Sequence, residues 1–92
     1  MVDNQEPNVP IEEQLAFFDA NVDSVDLEGI FLDIISDAKE LARERMKRYY
    51  PKYGDGNFHK TTTQLRIEQM EEIADAINYE IFKKYRKSKG LS

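Results

Sequence analysis

The chain has 92 residues, no cysteine and a net charge of −5, with 13 Lys and Arg against 18 Asp and Glu. This length allows one small domain with a thin core. The lack of cysteine excludes disulfides and thiolate sites and agrees with a reducing cytoplasm. The negative charge disfavours a nucleic-acid partner. No run approaches the roughly 20 apolar residues that cross a bilayer, and residues 1–7 lack a signal-peptide pattern, so we expect a cytoplasmic protein with no membrane contact.

The N-terminal part predicts a disordered segment, residues 1–9, followed by a short helix. Pro10 suits the first turn of that helix, and Asn8 is available nearby as a cap. An apolar stripe at i, i+4 and i+7 gives the helix one face that must dock on a larger surface: Ile11, Leu15 and Phe18.

The second predicted helix runs from about Val25 to Tyr50. Asp23 or Ser24 is expected to cap it, although Gly29 costs about 1 kcal/mol relative to alanine inside a helix and favours a later start. Pro51 is expected to end it, and residues 53–57 form a dense turn signal. A helical period persists for more than four turns in Leu27, Ile30, Phe31, Ile34, Ala38, Leu41 and Ala42.

The third predicted helix begins near Thr61, which forms a capping box with Gln64, and runs to about Lys87. Gly90 lies just beyond it, and residues 89–92 are expected to be a flexible tail. Two long helices joined by about ten residues predict an antiparallel hairpin. We therefore expect one all-α domain over residues 10–88, in which a short N-terminal helix joins the hairpin and dimerisation completes a bundle.

Acidic residues form a narrow stripe on each long helix. They are Asp33, Asp37, Glu40 and Glu44 on the second helix, and Glu68, Glu72 and Asp75 on the third. Like charges at this spacing repel by a few tenths of a kcal/mol per pair, and a cation between the helices would reverse that cost. Carboxylate ligands suit Mg²⁺ or Mn²⁺. The alternative is a plain solvated face on each helix.

Aromatic and basic residues cluster where the second helix is expected to end. This cluster could stack a nucleobase and hold phosphates, or it could bind a protein partner. The alternative is a small aromatic cluster that only closes the end of the hairpin. The candidate binding residues are Arg45, Arg48, Tyr50, Lys52 and Tyr53.

Two motifs carry a resemblance to known proteins. Residues 71–79, E-E-I-A-D-A-I-N-Y, resemble the E-E-L/I-A/G-D-x-x-x-Y helix of MazG-like all-α nucleotide pyrophosphohydrolases. The tract 49–58 resembles a Y-G-D-x-x-F/W turn of small phage-encoded proteins linked to nucleotide metabolism. In the MazG-like family the Glu and Asp of E-x-x-D bind Mg²⁺, so the resemblance implies Glu72 and Asp75 as metal ligands. Asp37 and Glu40 are the candidates to complete the site from the second helix.

The chain departs from that family in one respect, because no E-E-x-x-E stands on the second helix. We therefore expect a small phage- or plasmid-type regulatory protein on a MazG-like scaffold, which engages a host protein without catalysis. Its catalytic residues, if any, are not identified by the sequence. The alternative is a Mg²⁺-dependent enzyme that cleaves nucleoside triphosphates to the monophosphate and pyrophosphate.

Overall fold

A computed structural model describes residues 8–91 of the protein, and all the regular secondary structure in that range is helical. Helix α1 spans Ile11–Asn21, α2 spans Leu27–Tyr53 and α3 spans Thr62–Ser88, with short 3₁₀ turns at Val22–Ser24 and Gly56–His59. No strand occurs between residues 8 and 91, so the predicted all-α class is confirmed. No helix in this range is long and apolar enough to span a bilayer. The expected disorder of residues 1–9 falls largely on residues 1–7, which lie outside the described part.

Helix α1 begins one residue later than Pro10, which is the residue before the helix and has an extended ψ of 157°. No side chain caps this end, so the expected cap from Asn8 is wrong. The Pro10 carbonyl instead accepts from the Gln14 N–H at 3.0 Å, and the Gln14 side-chain amide donates to the Val9 carbonyl at 2.9 Å. These two bonds tie residues 9 and 10 to the first turn.

Helix α2 is capped by Asp26, so the expectation of Asp23 or Ser24 is wrong. The Asp26 carboxylate accepts from the Gly29 N–H at 2.9 Å, which is the bond of a helix N-cap to its third residue. A Cβ on Gly29 would overlap this carboxylate. Gly29 therefore sits in the first turn, where its lack of a side chain admits the cap, and the helix does not start later as its propensity suggested.

The C-terminal end of α2 lies three residues beyond the predicted one. Pro51 is inside the last turn and does not end the helix. Its fixed φ fits a helix, so the helix continues for two more residues at the cost of one hydrogen bond of the ladder. Gly54 ends α2, because its φ of 56° leaves the helical region while its N–H still donates to the Tyr50 carbonyl at 2.7 Å.

Helix α3 starts and stops as the sequence predicts. The Gln64 N–H donates to the Thr61 hydroxyl at 3.1 Å and the Thr61 N–H donates to the Gln64 side chain at 2.9 Å, so the capping box is confirmed. At the other end the Leu91 N–H donates to the Arg86 carbonyl and the Gly90 N–H to the Lys87 carbonyl. With Gly90 at a φ of 71°, these bonds form a Schellman motif.

The chain divides into two compact units. The first contains the chain up to Val25 together with the part from Ala76 onwards, and the second is Asp26–Asp75. In the first unit Ile81 is 5% exposed and is the one buried residue among those described. Beside it, Phe17 of α1 and Tyr85 of α3 make an edge-to-face contact with centroids 5.4 Å apart.

The second unit has no buried residue, and residues 41–60 are all exposed. The apolar face of α3 that continues toward Ile81 is open here: Ile67, Met70 and Ile73 are each more than half exposed.

In the first unit, the apolar stripe that was expected to dock α1 on a larger surface is also open at Ile11 and Leu15. The antiparallel hairpin and the dimer that would cover such faces stay predictions.

Candidate functional site

The second unit has a groove of about 920 Å³ that is lined by the C-terminal half of α2 and the first part of α3. We call it the aromatic groove. About four turns of α2, from Ala38 to Tyr53, and the loop after Gly54 form one side of it, and Glu68 and Glu72 of α3 form the other. Its lining residues are Ala38, Leu41, Ala42, Arg45, Met46, Tyr49, Tyr50, Tyr53, Gly54, Asn57, Phe58, Lys60, Glu68 and Glu72.

The α2 side of the aromatic groove carries tyrosine rings and cations that contact one another. The Arg45 guanidinium lies 4.9 Å from the ring centroid of Tyr49, and the rings of Tyr49 and Tyr53 meet edge to face at 6.2 Å. The Lys52 ammonium lies 5.0 Å from the Tyr53 ring. Each cation–π contact at an exposed site contributes about 0.5–1 kcal/mol, so these contacts order side chains that are otherwise open to solvent.

The α3 side of the aromatic groove is acidic, and its charge is partly neutralised. The Lys60 ammonium donates to both carboxylate oxygens of Glu68 at 2.9 Å. Glu72 lies one turn further along α3 and lines the same groove. The groove therefore presents Arg45 and the aromatic rings on its α2 wall and Glu72 on its α3 wall.

The structure brings together three of the five binding residues that the sequence predicts. Arg45, Tyr50 and Tyr53 line the aromatic groove. Arg48 does not line it, and Lys52 contacts it only through the Tyr53 ring. Tyr50 is 66% and Phe58 77% exposed, and the alternative interpretation, in which the rings only close the end of a hairpin, stays a prediction.

The predicted metal ligands are only partly assembled. Glu72 and Asp75 lie one turn apart on α3, as the helix requires, but Asp75 does not line the groove and neither do Asp37 and Glu40. Within residues 8–91 no three side chains of His, Asp or Glu lie close enough together to hold one metal ion. The metal site thus stays a prediction, and the described residues supply at most pairs of carboxylates for it.

Lys60 and Met46 are groove residues that the sequence did not single out, and Glu68 was named only as part of the acidic stripe on the third helix. Lys60 and Glu68 are eight residues apart across the start of α3, and no helical spacing rule pairs such positions. Met46 is 67% exposed. An exposed methionine on a helix can indicate a binding surface, because flexible thioether side chains are common at such surfaces.

The first unit has a smaller cleft of about 340 Å³ beside the contact of Phe17 with Tyr85. The Tyr85 hydroxyl donates to the Glu13 carboxylate at 3.2 Å and links α3 to α1. Apolar side chains dominate this cleft, which is lined by Val9, Gln14, Phe17, Ile81, Phe82, Tyr85 and Arg86. It is the packing seam of α1 on α3, since the buried Ile81 forms its floor.

Comparison of the chain with protein-family models, with curated proteins and with solved structures finds no match. The function is therefore argued from the geometry of the aromatic groove and from the charges around it.

Proposed function

We propose that this chain is a small helical binding and regulatory protein that engages another protein through the aromatic groove and performs no chemistry of its own. The observation that carries the proposal is the set of large side chains that are exposed together in one groove: Met46, Tyr50, Tyr53 and Phe58, each more than half exposed. Soluble monomers rarely expose contiguous apolar surface of this kind unless it binds something.

The composition of the groove favours a protein partner. Tyr and Arg are enriched among the residues that dominate binding energy at protein interfaces, and Arg45 with Tyr49, Tyr50 and Tyr53 supplies both. Arg45 and Glu72 on opposite walls would fix the orientation of a partner helix by charge, because a reversed helix would meet like charges. An amphipathic helix laid in a groove is a common mode of such recognition.

In its cellular setting, we propose a cytoplasmic protein of the kind that phages and plasmids encode, with a host protein as its partner. The chain has no cysteine, as a reducing compartment permits. The phage or plasmid origin and the MazG-like scaffold rest on the E-E-I-A-D helix and the Y-G-D-G-N-F turn alone.

The test is a binding comparison between two tyrosines of nearly equal exposure. Tyr50, 66% exposed, lies in the groove, whereas Tyr79, 65% exposed, lies on α3 in the first unit. Proteins from a host lysate that are retained by the wild type and by Tyr79→Ala, but lost with Tyr50→Ala, are the expected result. Purified partner is then titrated calorimetrically against the three chains. Equal affinity of all three for every candidate would overturn the proposal.

A second candidate function is a Mg²⁺- or Mn²⁺-dependent nucleoside triphosphate pyrophosphohydrolase. The observation that favours it is that Glu72 shares the groove with Arg45 and with tyrosine rings, which supplies one carboxylate, one phosphate-binding cation and a stacking surface. Pyrophosphate release from a panel of triphosphates, lost in Asp75→Asn and Glu72→Gln, would establish this activity. Absence of turnover with either metal would leave the binding protein.

A further inference from the structure

The α2 wall of the aromatic groove has charges of one sign. Counted at 100° per residue, the α2 side chains that line the groove share an arc of about 180°. Between residues 38 and 53, every charged residue on that arc is basic: Lys39, Arg45 and Lys52. The acidic residues of this stretch, Glu40 and Glu44, lie about 60° or more outside the arc. The α2 wall is therefore aromatic and positive.

The α3 wall of the same groove is acidic, and one of its carboxylates has no counter-charge. Lys60 pairs with Glu68 through both carboxylate oxygens. Glu72 is exposed and makes no ion pair with any residue from 8 to 91, and the same holds for Arg45 on the opposite wall. The groove therefore offers an unpaired cation on one wall and an unpaired carboxylate on the other.

The length and backbone chemistry of the groove suit a helix. From Ala38 to Tyr53 the α2 wall measures roughly 22 Å, which is about four helical turns. No strand occurs between residues 26 and 75, so an extended peptide would find no sheet edge there to pair its backbone N–H and C=O groups. A helix pairs these groups internally and presents only side chains to the groove.

We propose that the occupant of the aromatic groove is an amphipathic helix of the partner protein, about four turns long, with flanks of opposite charge. It carries cations where it meets Glu72 and carboxylates where it meets Arg45 and Lys52, and its apolar stripe lies on the tyrosine rings. A uniformly acidic helix would meet like charge at Glu72, and a uniformly basic helix would meet it at Arg45. This inference rests on the function proposed above, because it specifies the partner of the same groove.

The experiment titrates three synthetic helical peptides of about 16 residues against the protein and follows fluorescence anisotropy. All three have the same leucine stripe, and they differ in their flanks, which are both basic, both acidic, or one of each. At about 0.15 M salt, charges more than about 8 Å away are screened, so the groove charges dominate. We expect the mixed peptide to bind the wild type at least about fivefold more tightly than either uniform peptide.

Charge reversal in the groove should move the preference between the two uniform peptides. Glu72→Lys should shift the ratio of their dissociation constants about tenfold toward the acidic peptide, and Arg45→Glu about tenfold toward the basic one. The matched controls are Glu71→Lys and Arg43→Glu, which make the same changes of net charge at residues that do not line the groove. They lie about 100° around α3 from Glu72 and about 160° around α2 from Arg45, and should keep the wild-type ratio.

Several outcomes overturn the inference: equal shifts in the groove and control variants, a uniform peptide that binds the wild type more tightly than the mixed one, or no peptide binding at all. The comparison of Tyr50→Ala with Tyr79→Ala then still decides the proposed function separately. A wild-type dimer that Tyr50→Ala dissociates would assign the groove to a second copy and also overturn the inference. If a charge reversal lowers the helix content, Glu72→Gln and Arg45→Gln replace it and should shift the ratio in the same directions by less.

Discussion

The Asp26 carboxylate and the Gly29 backbone form one interlocked cap at the start of α2, joined by a hydrogen bond of 2.9 Å. The bond places the carboxylate where a Cβ of residue 29 would otherwise stand. Helix propensity favours alanine over glycine by about 1 kcal/mol, whereas the cap favours glycine. The two effects oppose each other at a single position.

A double-mutant cycle separates these effects. We expect Asp26→Ala to lower the free energy of unfolding by about 1 kcal/mol and Gly29→Ala to bring no gain, because it displaces the cap. In the Asp26→Ala chain, where no cap is left to lose, Gly29→Ala should stabilise by up to about 1 kcal/mol. Urea unfolding followed by circular dichroism measures all four chains. Equal gains from Gly29→Ala in both backgrounds would contradict the interlocked cap.

The capping box of α3 makes a second prediction. Thr61→Ala should cost about 1 kcal/mol of unfolding free energy, because it leaves the Gln64 N–H without its acceptor. Thr63→Ala is the matched control, since Thr63 lies inside the helix at an exposed position and alanine has the higher propensity there. Thermal unfolding of both variants tests this, and a larger loss at Thr63 than at Thr61 would argue against the cap.

The difference between the two units predicts unequal effects of the same substitution along α3. Ile81→Ala should cost about 2–4 kcal/mol, because Ile81 is 5% exposed and its loss leaves a cavity beside Phe17. Ile73→Ala, at a residue that is 54% exposed, should cost less than about 1 kcal/mol in the monomer. Denaturation at low protein concentration makes the comparison. A loss at Ile73 as large as that at Ile81 would mean that another surface covers Ile73.

The ion pair of Lys60 with Glu68 should contribute little to stability. Both side chains are more than a third exposed, and exposed pairs are worth about 0.2–1 kcal/mol. We expect a coupling energy in this range from the cycle of Lys60→Ala with Glu68→Gln, and we expect it to shrink in high salt. Coupling that is larger, or unchanged by salt, would indicate that the pair is shielded from solvent.

Helix boundaries show where local rules were sufficient and where they were not. The capping box at Thr61 and the stop at Gly90 were predictable, because each depends on bonds within a few residues. The start and end of α2 were not. Asp26 replaces the predicted caps because α2 begins at Leu27, directly after it, and Pro51 stays helical because its fixed φ is close to that of a helix.

The sequence predicted which kinds of residue form the candidate site but not how these residues are arranged around the groove. The cluster of Tyr and Arg residues was visible in the sequence, and Arg45, Tyr50 and Tyr53 do line one groove. The opposite wall, with Lys60 holding Glu68, depends on how the loop after Gly54 turns, which no residue spacing specifies. Asp75 likewise lies outside the groove, although it is one turn from Glu72, which lines the groove.

The sequence by itself determined that this protein is all-α, where its long helices lie to within a few residues, and which faces are apolar. These properties follow from local hydrogen bonding and from the helical period, so neighbouring residues suffice to specify them. Only the tertiary structure decided which apolar faces are covered. Ile81 is buried under α1 while Ile73, on the same helix, is open, and such a difference depends on contacts between residues far apart in the chain.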